Sequence, residues 1–128
     1  MRFNGVAGSA QLIADMESGA MPTSCVVLYD QMGTRPAVTV EDAETITKVY
    51  GLLANVTVGA PSSSSITDCY HQVAFTLQDG SVVRFSFEGE HLLSLDRENY
   101  EVFGGDPLWS FVREIQDEYM AAHPEAKA

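Results

Sequence analysis

Hydrophobic and polar positions alternate most regularly between Cys69 and Glu88. Cys69, His71, Val73, Phe75 and Leu77 fall on one side of a two-residue period, with Tyr70, Gln72, Ala74, Thr76 and Gln78 on the other. Beyond Ser81, the apolar Val83, Phe85 and Phe87 alternate with Arg84, Ser86 and Glu88. Each run has the period of a β-strand with one apolar face. An Asp-Gly pair between two such runs usually marks a two-residue hairpin loop. Here that loop would set Leu77 opposite Val82 and Phe75 opposite Arg84, mixing the two faces. A three-residue loop of Gln78, Asp79 and Gly80, with Gly80 left-handed, pairs Leu77 with Ser81, Phe75 with Val83, Val73 with Phe85 and His71 with Phe87. His71 then stands at the far end of the apolar face beside an aromatic ring, where the expectation is a boundary histidine bonded to backbone or water.

Elsewhere the period lengthens. The stretch SAQLIADMESG puts Leu12, Ile13 and Met16 on one face of a short helix, with Ser9 as N-cap and Gly19 at the exit. SCVVLYD is apolar on both sides of the alternation and reads as a strand with its faces largely covered; QMGTRP breaks it. TVEDAETITKVYGLL carries Ala43, Ile46, Val49, Tyr50 and Leu53 at helical spacing. Its N-cap is read as Thr39, with Glu41, Asp42 and Glu44 in the first turn, where carboxylates favour the positive helix end. A short strand at Val56 to Val58 gives way to a serine-rich polar loop, and after the hairpin EHLLSLD and NYEVFG read as two further short strands. The last helix has Asp106 as cap, Pro107 in first position and a stripe of Leu108, Phe111, Val112, Ile115 and Tyr119. Trp109 and Tyr70 lie off these stripes and are expected at the sheet margin.

The order is helix, strand, helix, a run of antiparallel strands, then helix. It predicts an α+β fold: a single antiparallel sheet of about four to six strands, a meander with its hairpin at residues 69–88, and helices packed on one face. At 128 residues the chain reads as one domain, with an ordered core at about residues 9–122 and short tails.

Composition changes this picture in one respect. The chain is 45% hydrophobic, 9% aromatic and 20% charged, as an ordinary globular domain is, but 18 acidic residues face 7 basic ones, for a formal charge of -11 and a pI near 4.4. That balance repels nucleic acid and anionic membranes, and the seven basic residues are scattered singly, so nucleic-acid binding is excluded as a function class. The acidity is first a matter of solubility, and second a match for a cationic partner. No apolar run is long enough for a membrane span, and the first nineteen residues hold no continuous apolar segment. The expectation is a cytoplasmic setting by default, or an exported one if a leader has been trimmed.

The sharpest group of chemically active residues is Cys25, Cys69 and His71. Cys69 and His71 share a strand face, and Cys25 lies on a strand that an adjacent pairing would bring close. Unlinked structural thiols lead, with a disulfide and a metal or reactive site as alternatives. His91 beside Glu90 or Asp96 reads as exposed turn residues, because strand neighbours point to opposite faces. The chain has no GxSxG, HExxH, Walker or GxGxxG motif. No catalytic or cofactor-binding residue is assigned.

The stretch ITDCYHQVAFTLQDGSVVRFSFEG followed by YEVFGGDPLWSFVREI, with the helix VEDAETITKVYGLL before it, resembles small uncharacterised α+β domains of bacteria, many of which occur in exported proteins or lipoproteins. The resemblance covers roughly Thr39 to Tyr119 and rests on structural residues. It implies a bacterial source and an architecture, and supplies no catalytic residue. The leading functional expectation is a non-catalytic binding or interaction module for a protein or small-molecule partner. The alternative is a small metal- or thiol-dependent enzyme or sensor using Cys69 and His71. A homo-oligomer joined through an exposed strand edge is a third.

Overall fold

The hairpin has the register that strand parity requires. In the computed structural model, which describes residues 9–31, 35–63, 69–95 and 98–123, strand β4 (Cys69–Thr76) pairs antiparallel with β5 (Val82–Glu88), setting His71 opposite Phe87, Val73 opposite Phe85 and Phe75 opposite Val83. The Leu77 amide donates to the Ser81 carbonyl at 2.8 Å, and Gly80 takes φ +89°. A residue with a Cβ would be strained there. Asp79 fastens the loop by accepting from the Ser81 amide and hydroxyl.

The remaining elements in chain order are α1 (Ser9–Ser18), β1 (Ser24–Gln31), β2 (Val38–Val40), α2 (Ala43–Ala54), β3 (Thr57–Ser62), β6 (Leu92–Leu95), β7 (Glu98–Phe103) and α3 (Asp106–Ala122). Among the described residues they form one antiparallel sheet of seven strands in the order β2-β1-β4-β5-β6-β7-β3. The helices pack on one face, an α+β arrangement with more strands than the four to six expected. The extra strand is β2, too short for a two-residue period to reveal. It is made by pairing, with Cys25 opposite Val40 and Val27 opposite Val38. Because β2 and β3 occupy opposite edges, α2 carries the chain across the sheet.

Both edges are blunt. β2 is three residues long, and β3 carries a register shift between Val58 and Pro61, where Pro61 has no N–H to offer. The Phe103 ring lies against Gly59 in that irregular stretch: a Cβ on Gly59 would come within 2.8 Å of the ring.

Helix ends follow capping chemistry, with two corrections. α1 ends as a Schellman motif, Gly19 at φ +84° with its amide on the Met16 carbonyl and the Ala20 amide on the Asp15 carbonyl. The α2 cap is Asp42, not Thr39, because β-branched Thr39 is taken into β2. The Asp42 carboxylate accepts the Thr45 amide at 2.9 Å, and the Thr45 hydroxyl and amide hold it below its ordinary pKa. The α3 cap is Gly105, not Asp106, which falls inside the first turn. A Cβ at Gly105 would meet the Trp109 indole nitrogen at 3.3 Å, so the cap position has little room for a side chain.

One core lies between the sheet and the helices. Val27, Val73, Phe75 and Phe85 from the strands meet Leu12 of α1, Ile46, Val49 and Leu53 of α2, and Leu108, Trp109 and Val112 of α3. Among the described residues no helix is long and apolar enough to cross a membrane.

Candidate functional site

The strand register decides the fate of the Cys25, Cys69 and His71 group. β1 and β4 are neighbours, as the sharp reading required, but Cys25 pairs with Phe75, His71 with Tyr29 and Cys69 with Gln31. At about 3.3 Å of rise per residue, Cys25 is on the order of 13 Å along the ladder from His71 and about 20 Å from Cys69. A disulfide needs Cα atoms within about 7 Å. The ladder therefore separates Cys25 from both partners. Cys25 is a fully buried free thiol whose pKa burial pushes up to about 12, so it stays protonated and unreactive at neutral pH. Among the described residues no group of three or more His, Cys, Asp or Glu could hold a metal ion.

His71 itself is not at the boundary. It is fully buried because residues from outside the hairpin close over it. Its ring stacks on Tyr29 at 4.1 Å with 11° between the planes, and Trp109 of α3 lies 5.1 Å away, itself edge-on to Phe87 at 5.0 Å. Trp109, expected at the margin, is thus a central core residue. Nδ1 of His71 accepts the Asp30 backbone amide at 3.1 Å, while Nε2 is buried with no hydrogen-bond partner. With Nδ1 accepting, the neutral ring carries its proton on Nε2. Burial lowers the pKa of His71, opposed by the Tyr70 carbonyl and the charges of Glu90 and Asp30.

Two polar arrangements brace this cluster. The Tyr29 hydroxyl donates to Glu90 at 3.2 Å, and the Arg113 guanidinium sits 5.0 Å from the Tyr29 ring centre. Gln116, fully buried on α3, donates to the carbonyls of Tyr29 and Pro36 and accepts from Arg35 Nε. Arg35 also pairs with Asp117 and donates to the Arg113 carbonyl, and its amide donates to the Asp30 carboxylate at 3.2 Å. A strap at Arg35 and Pro36 is thereby bound to the end of β1 and to α3.

Among the described residues, the other face of the sheet carries no helix. Asp30, Tyr70, Glu88, Leu92 and Glu101 stand in register across β1, β4, β5, β6 and β7. Beside them runs a second row of Leu28, Gln72, Ser86, Ser94 and Asn99. The Tyr70 hydroxyl donates to Gln72 at 2.8 Å and lies 3.3 Å from the Ser86 hydroxyl, while the Ser94 hydroxyl meets both Glu88 and Asn99. Among the described residues, the exposed large hydrophobic ones, Tyr70 at 43%, Val82 at 50% and Phe103 at 57%, all belong to this face by strand alternation. Sequence reasoning marked none of these as a group, because a cross-strand row is assembled from positions far apart in the chain. The signal it had was the polar half of each alternation, which on its own reads as solvent.

Comparison with protein-family models, with curated proteins and with solved structures finds no match to this chain.

Proposed function

We propose that the protein is a non-catalytic binding module that receives a polypeptide rich in basic side chains on the helix-free face of its sheet. One observation carries the reading: the exposed large hydrophobic residues Tyr70, Val82 and Phe103 share that face, where Asp30, Glu88 and Glu101 stand in one row with Tyr70. A broad face with aromatic and aliphatic contacts among carboxylates suits an extended cationic partner, through ion pairing and cation–π contact with Tyr70. The net charge of -11 favours the same partner through long-range attraction. The blunt edges favour the face over strand addition.

The thiol reading is less well supported. A thiolate activated by histidine needs a free imidazole nitrogen within reach. Nδ1 of His71 is engaged by the backbone, Nε2 carries the proton of the neutral ring, and the ring is enclosed by Tyr29 and Trp109.

The test is an amide NMR titration with a lysine-rich peptide and a glutamate-rich peptide of equal length. Lysine-dependent shifts at Tyr70, Gln72, Ser86 and Ser94 are expected. Shifts confined to α2 and α3, or silence with both peptides, would reject the reading. Stoichiometric metal in the purified protein, lost in a folded Cys69→Ala variant, would favour the enzyme or sensor instead.

A further inference from the structure

The His71 cluster does more than fill the core, because one hydrogen bond joins it to both the Arg35 strap and the helix-free face. Nδ1 of His71 holds the Asp30 amide, and the Asp30 carboxylate holds the Arg35 amide. Arg35 then ties the strap to Gln116 and Asp117 of α3. Asp30 also stands at the end of the row that includes Tyr70. A second proton on His71 must go to Nδ1, since Nε2 already carries one. Nδ1–H would then face the Asp30 N–H, donor against donor, and the bond between them cannot survive.

We propose that His71 is a proton-operated latch: proton uptake at Nδ1 releases the Asp30 end of β1, and with it the carboxylate that holds the Arg35 amide, while the rest of the sheet stays paired. The charged groups around the ring set how readily it takes the proton. Glu90, held by Tyr29, and Asp30 of β1 favour the imidazolium, Arg113 of α3 opposes it, and the facing strand β5 presents Phe87 without charge. The ring also keeps its stack on Tyr29, on which an imidazolium is tolerated. The closed core already leaves Nε2–H without a partner, and a second N–H on the ring would add another unsatisfied donor, so the protonated ring favours the open state. The consequence for binding rests on the reading of the helix-free face given above: loosening Asp30 moves one carboxylate of its row.

The experiment follows the whole chain by NMR from about pH 7 to about pH 5, a range that spans the ordinary histidine pKa. Imidazole nitrogen shifts report the His71 tautomer, and hydrogen exchange, corrected for its intrinsic pH dependence, reports each amide. Above the transition, Nδ1 is expected to be unprotonated. Between about pH 6.5 and that transition, Asp30 protection is expected to fall by about tenfold per pH unit, as linkage to one proton requires, while the amides of Leu77 and Val102 keep theirs. Unchanged Asp30 protection would overturn the latch, and so would loss at Asp30, Leu77 and Val102 together, which is global unfolding. A His71→Asn variant places an oxygen acceptor near the Nδ1 position without a titrating group, and its Asp30 protection is expected not to change with pH. Should that variant not fold, the wild-type titration decides alone. The lysine-rich peptide is titrated at both ends of the range. Failure to bind at either pH counts against the recognition face, whereas the exchange data alone judge the latch.

Discussion

His71 and Tyr70 are neighbours on β4 and differ in almost every respect that affects a side chain's energy. His71 points among Tyr29, Phe87 and Trp109 and has no exposed surface, whereas Tyr70 points away from the helices and remains 43% exposed. The hydrogen bond of His71 is to backbone inside the core, and those of Tyr70 are to exposed side chains of its own sheet. One residue's step along a strand therefore separates a position where packing dictates the occupant from one where it does not. The first face holds the fold together. The second is less constrained by packing at Tyr70, and that is where the proposed binding surface would lie.

The contrast is broken most directly at its buried side. Trp109→Ala removes the ring that touches His71, Phe87 and Tyr29, and is expected to cost about 3–5 kcal/mol in urea denaturation, as large-to-small changes in cores do. A loss below about 1 kcal/mol would mean that the aromatic cluster is not the core it is taken for. Gln116→Ala comes next. It strips hydrogen bonds from the buried Tyr29 carbonyl, from the partly buried Pro36 carbonyl and from Arg35, at an expected cost of about 1–3 kcal/mol.

The pH dependence is smaller and has a definite sign. Burial holds His71 below its ordinary value of 6.5, so the unfolded chain takes up this proton before the folded one does. Stability is therefore complete above about pH 6.5 and falls as the pH drops below it, with a slope from this group of at most about 1.4 kcal/mol per pH unit. The fall ends once folded His71 also protonates. Asp42 and Asp79 are held below the ordinary carboxylate value of 3.8, so their losses belong to a lower window as pH falls through their folded values. Urea midpoints at about pH 7 and about pH 5.5 check the claim, and His71→Asn is expected to flatten the difference.

What was legible in the sequence divides along the same line. The hairpin register could be derived because each strand had an apolar half and only one loop length matched the halves. The α3 stripe was equally plain. By contrast, β2 has no period of its own, and its claim on Thr39 displaced the α2 cap to Asp42. The burial of His71 escaped the strand pattern because it depends on Trp109, which arrives from a helix 38 residues later in the chain. Cys25 and His71 lie on adjacent strands as supposed, yet four steps of register part them, and register between non-consecutive strands is not written in either strand. Composition can nominate a site, but only pairing can assemble it.

Tyr70→Ala provides the finest test of the contrast, since its expected effect on stability is close to nil. The side chain adds no buried ring contact on the helix side, and its hydroxyl bonds to Gln72 and Ser86 are exposed, where water replaces them at little cost. The expected change in urea denaturation is within about 0.5 kcal/mol, the range of ordinary surface substitutions. Binding of the lysine-rich peptide should nonetheless weaken, because the lost ring is the aromatic member of the acidic row. A loss of stability near 2 kcal/mol would place Tyr70 among the residues that hold the sheet together and remove the contrast with His71. Intact stability with unchanged peptide binding would spare the contrast in packing but deny the helix-free face its role in recognition.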